Sequence, residues 1–61
     1  MPNLTQKELT SLEEALGTEQ LLVKKFRAYA QQAKDPEISD SAEQMAERHK
    51  QHYDTLMGYL Y

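Results

Sequence analysis

A chain of 61 residues makes one small domain, and a domain of that length buries only about 60% of the surface its unfolded chain exposes, so it ordinarily leans on a disulfide, a metal or a second copy of itself. Cysteine is absent, which excludes disulfides, thiolate zinc sites and thiol catalysis. Seven basic against ten acidic residues leave a net charge of -3 with no Lys/Arg block, so neither nucleic acid nor, with no apolar run longer than Leu21 to Val23, a membrane is an expected partner.

The opening residues Met1 to Glu8 carry neither the basic nor the apolar region of a signal peptide. Thr5-Gln6-Lys7-Glu8 instead fits a capping box, in which the Thr5 hydroxyl and the Glu8 carboxylate each satisfy an orphan backbone N–H. From there Leu9, Leu12, Leu16, Glu19, Val23, Phe26, Ala30 and Ala33 recur at alternating spacings of three and four, the seam of packed helices. Gly17 falls on the opposite side, and the seam keeps its phase across it. The pattern predicts one continuous helix over about residues 5–34. A break at Gly17 with a restart capped by Thr18 is the alternative.

Asp35-Pro36-Glu37 reads as a new start, with Asp35 as N-cap, Pro36 at the first helical position and Glu37 and Asp40 favourable against the helix dipole. The turn over about 34–36 is so short that the second helix, about 36–58, must run back antiparallel. Its own seam is Ile38, Ala42, Met45, His49, His52, Leu56 and Tyr59, and Gly58 offers an exit.

Each helix carries a further apolar line spaced by sevens: Ala15, Leu22 and Tyr29 on the first, Ala46, Tyr53 and Leu60 on the second. Three apolar positions per heptad make a face wider than one partner helix can cover. The expected architecture is therefore all-α, an antiparallel two-helix hairpin that forms a homodimer, a four-helix bundle. Docking on a different protein to complete a bundle is the alternative.

Apart from the Tyr59 phenol, Glu19, His49 and His52 are the only titratable side chains in the two seams, and unpaired burial of such groups is costly. If Ala33 stands level with Ile38, Glu19 faces His52, with His49 one turn nearer the loop. Two readings stay open besides a partly solvated, inert layer. In one, Glu19 accepts hydrogen bonds from the imidazoles and the polar layer fixes register. In the other, two histidines at i and i+3 and a facing carboxylate form an N2O metal-ligand set for zinc or iron.

The run Gly17 to Gln20 through Tyr29 to Ala33, followed by Met45 to Tyr53 and Leu56, resembles one helix pair of the rubrerythrin and ferritin-like proteins, which place a Glu on the first helix and a Glu-x-x-His on the second. The resemblance maps Glu19 onto the first carboxylate and His52 onto the histidine, while His49 stands where that family has its second Glu. A dimer would then offer two Glu19 and four histidines instead of four carboxylates, a set that suits zinc better than oxygen-activating di-iron chemistry. From Leu4 to Leu60 the chain is more closely similar to the coat F-like spore coat proteins of Gram-positive spore formers, short ferritin-like hairpins. It shares with them the early Glu, the stretch Lys24-Lys25-Phe26-Arg27-Ala28-Tyr29-Ala30, the Asp-Pro turn and the late His pair. That resemblance implies a structural role in the spore coat, assembled from the mother-cell cytoplasm alongside other coat proteins.

Enzymatic function has little else to stand on. No Gly-rich phosphate loop is present, and Ser39, Ser41 and Thr55 lack a base or oxyanion device at recognisable spacing. Tyr53 is expected to pack in the dimer seam, with Tyr59 and Tyr61 covering the open end of the bundle. Leu21 is a lone apolar residue on the outer face.

Overall fold

In the computed structural model, which describes residues 3–60, Thr5 is extended at φ -69° and ψ 162° and closes the capping box in both directions. Its Oγ accepts from the Glu8 N–H at 3.1 Å, and its own N–H donates to the Glu8 carboxylate at 3.0 Å. Helix α1 then runs unbroken over Gln6–Gln32. Gly17 is exposed with open space around it, and Thr18, far from capping a new helix, turns its hydroxyl back onto the Glu14 carbonyl at 3.1 Å.

The Thr5 backbone N–H donating to the Glu8 carboxylate, and to a lesser extent the nearby Thr5 hydroxyl, favour its charged form and hold the carboxyl below the usual glutamate range. The sign follows from linkage: a lowered folded-state value gives stability that is present above the unfolded value and is lost as pH falls through the folded one. An NMR titration is expected to place the Glu8 midpoint below that of free glutamate, and Thr5→Ala, which removes the hydroxyl and keeps the backbone N–H, to return it only partway.

Helix α1 ends two residues before its predicted end. Ala33 is extended at φ -69° and ψ 130°, and Asp35, which Pro36 holds out of helical conformation, is extended at ψ 120°. Asp35 caps α2, Pro36–Met57, by accepting the Glu37 N–H at 2.8 Å. The hydroxyl of Ser39 donates to the Ala30 carbonyl at 2.7 Å, satisfying one of the orphan acceptors in the last turn of α1 and pinning the two helices beside the turn. At the far end Gly58 closes α2 in right-handed conformation at φ -60°, without the left-handed residue that glycine usually supplies.

The helices pack as an antiparallel hairpin measuring 46 × 14 × 10 Å. Its buried core is small: Leu16, Ala30, Ala42 and Ala46, with Ala46 only 1% exposed. Alanines let the backbones approach closely but bury little apolar area. Accessible surface totals 4887 Å², against about 4,100 Å² for an ordinary compact monomer of this mass. The excess is the cost of a molecule one helix thick.

The edge of α2 that meets α1 is rolled from the expected seam, so that it takes in part of the second apolar line. Ala46 and Tyr53 turn toward α1 beside Ala42, whereas Ile38 and Tyr59 of the seam stand 59% and 56% exposed, and His52 is exposed as well. Tyr53 therefore packs within the hairpin, its hydroxyl accepting from the Gln20 amide at 3.5 Å. The reason is size: α2 turns its two small alanines to the contact, and this rotation carries the larger seam residues to one flank. Tyr61 lies outside the described residues.

Candidate functional site

Helical periodicity places a set of half-buried and exposed apolar residues on one broad face of the hairpin. From α1 it takes Ala15, Leu22 and Tyr29, spaced by sevens; from α2 it takes Ile38, Met45 and Leu56. Glu19, His49 and His52 sit in the middle of this open face.

The structure brings these three together. The Glu19 carboxylate lies between the imidazoles, with one oxygen, Oε2, 2.8 Å from His49 Nδ1 and 3.4 Å from His52 Nδ1. Glu19 and His49 are mostly covered, each side chain 16% exposed, while His52 is 52% exposed. Counting levels from Ala33 and Ile38 had set Glu19 opposite His52; the closer partner is His49. The same rotation of α2 explains the difference, since a helix turned to present Ala46 carries His49 inward and His52 out.

Aromatic contacts fix the ring planes. Phe26 stacks on His49 with centroids 5.7 Å apart and planes 4° from parallel, and His52 meets His49 edge-on at 5.2 Å. Tyr29 continues the row, edge-on to Phe26 at 6.1 Å. Phe26 belongs to the α1 seam, but nothing in the spacing of the sequence marks it as the platform for an imidazole. The Gln20–Tyr53 and Ser39–Ala30 bonds were equally hidden, because each depends on the rotation of α2.

As it stands, the trio is a hydrogen-bonded layer: His49 donates through Nδ1 to Glu19, and no buried side-chain polar atom among the described residues lacks a partner. Its donors also fit a metal. One ligand atom from each residue can be chosen with all three within 4.8 Å of one another, and a tetrahedral zinc site at bond lengths of about 2.0–2.2 Å spaces its ligand atoms roughly 3.3 Å apart. Two imidazole nitrogens and one carboxylate oxygen leave the remaining position to a water or a group from another chain.

Among the described residues, no helix is long and apolar enough to cross a membrane. No protein family, curated protein or solved structure matches this chain.

Proposed function

We propose that the chain is a non-catalytic assembly protein that works as a homodimer, two hairpins closing into a ferritin-like four-helix bundle. One observation carries this reading: the face that holds Glu19, His49 and His52 also carries the exposed Tyr29 and Ile38 and the half-buried Leu22, Met45 and Leu56, over a core made mostly of alanine, while Leu21 alone stands exposed on the outer side of α1. A second copy turned about an axis parallel to the helices lays each α1 over the partner's α2, so that all neighbouring helices run antiparallel, as in up-down bundles. Residues at one height then meet, and the two Glu/His layers enter one interior.

A structural place in the spore coat, among other coat proteins, follows from the resemblance carried by Glu19, Lys24 to Ala30, Asp35-Pro36 and the two histidines. Metal binding is a second reading, favoured by the convergence of Glu19, His49 and His52. The dimer is tested by mixing labelled and unlabelled chains and recording isotope-filtered NOEs. Contacts between copies at Leu22, Met45 and Leu56 are expected; contacts confined to one chain would leave the hairpin as a module for a different partner. Extraction of purified spores tests the location: the chain is expected in the coat fraction.

A further inference from the structure

The face opposite the apolar one has its own pattern. Between the helices lies a groove of about 260 Å³ lined by Gln20, Val23, Lys24 and Arg27 of α1 and by Lys50 and Tyr53 of α2. Its floor is apolar, the side of Val23 and the Tyr53 ring, and its α1 rim is cationic. On α2, Asp40, Glu43, Gln44 and Glu47 line a second, acidic depression. Helical periodicity turns Glu43 and Glu47 toward the same side of the hairpin as Lys24 and Arg27.

The heights of these charges are set by the contacts that lock the helices together. Ser39 bonds to Ala30, Gln20 to Tyr53 and Glu19 to His49, so residues whose numbers sum to about 70 stand level. Arg27 is then level with Glu43, and Lys24 with Glu47. Among the described residues none of these four makes an ion pair; the pairs present are Glu19 with the two histidines and Lys50 with Asp54 at 3.8 Å.

We infer that this face is a second interface between copies of the chain, an electrostatic one. A twofold axis parallel to the helices again lays α1 of one copy over α2 of the other at the same height. That operation sets Arg27 against Glu43 and Lys24 against Glu47 of the second copy, twice over, with Val23 and Tyr53 closed between them. The reverse stacking, α1 upon α1, would oppose cation to cation, so the charge pattern selects a single arrangement. Isolated exposed pairs contribute little; here four pairs surround an apolar floor that closure dries. A hairpin with self-complementary surfaces on both broad faces has no closed endpoint, and copies stack into an open array.

Salt separates this interface from the apolar one, since screening weakens exposed charge pairs and leaves apolar burial standing. Light scattering on the wild-type chain is expected to show species larger than a dimer at about 25 mM salt that disperse at about 500 mM. Lys24→Glu/Arg27→Glu is expected to weaken the low-salt association at least about tenfold with helix content unchanged. Adding Glu43→Lys/Glu47→Lys to that variant, which restores the net charge, is expected to recover it. Several results would overturn the inference: no species beyond the dimer at low salt, larger species indifferent to salt or to charge reversal, or binding of polyglutamate by a chain that does not stack. Failure of the apolar dimer looks different, since the chain would then be monomeric at 500 mM salt yet still pair at 25 mM.

Discussion

Tyr29→Glu/Ile38→Glu is expected to abolish the homodimer and, with it, most of the fold's stability. In the hairpin alone these side chains are 55% and 59% exposed, and exposed substitutions ordinarily change stability by no more than about 0.5 kcal/mol. Both stand on the open face near the turn, where a second copy would cover them. There the double substitution carries four carboxylates into an apolar seam, and desolvating such groups without partners costs several kcal/mol. Sedimentation and thermal melting followed by circular dichroism should give a monomer of reduced helix content. Leu21→Glu is the control: Leu21 is 52% exposed but lies on the outer side of α1, so the dimer and its melting temperature should be unchanged. Equal behaviour of the two variants would mean that no second copy covers the open face.

Zinc added to chelator-stripped protein is expected to raise the melting temperature, and His52→Ala to remove most of that rise. A ligand that binds only the folded state at a hundred times its dissociation constant adds about 2.7 kcal/mol, which in a domain this small corresponds to roughly 10–20 °C. His52 is the informative position because it is the exposed member of the trio. Its removal leaves the Glu19–His49 bond at 2.8 Å intact, so the metal-free variant keeps that pair and supplies its own baseline, against which the zinc-induced rise is read with one of three ligands lost. Glu19→Ala differs: it deletes a ligand and also leaves mostly covered His49 without its acceptor, so melting should fall with or without metal. The zinc effect should weaken in acid, since metal competes with protons for both imidazoles. Calorimetry and melting curves that show neither heat nor a shift with zinc or iron would leave the layer as a register device alone.

Much of this was legible in the sequence because it rests on local chemistry. The Thr5–Glu8 box, the Asp35-Pro36 start and the alternation of threes and fours each depend on residues within a turn or two of one another. The meeting of Glu19, His49 and His52 was legible too, because a short turn leaves two helices little freedom of level. What the spacing could not give is how each helix is rolled about its own axis. An apolar stripe wide enough for two neighbours does not say which edge meets which neighbour. The rotation is settled by close approach at Ala42 and Ala46 and by the Ser39 hydroxyl on the Ala30 carbonyl. That roll brought Tyr53 inward, left Ile38 and Tyr59 exposed, and made His49 the nearer partner of Glu19.

The mass of the wild-type chain in solution bears most directly on all of this. Sedimentation equilibrium at micromolar concentration and about 500 mM salt, where the charged face is screened, should return twice the 7.1 kDa of one chain. A stable, fully helical species of 7.1 kDa under the same conditions would show that a single hairpin holds its fold with the open face in water.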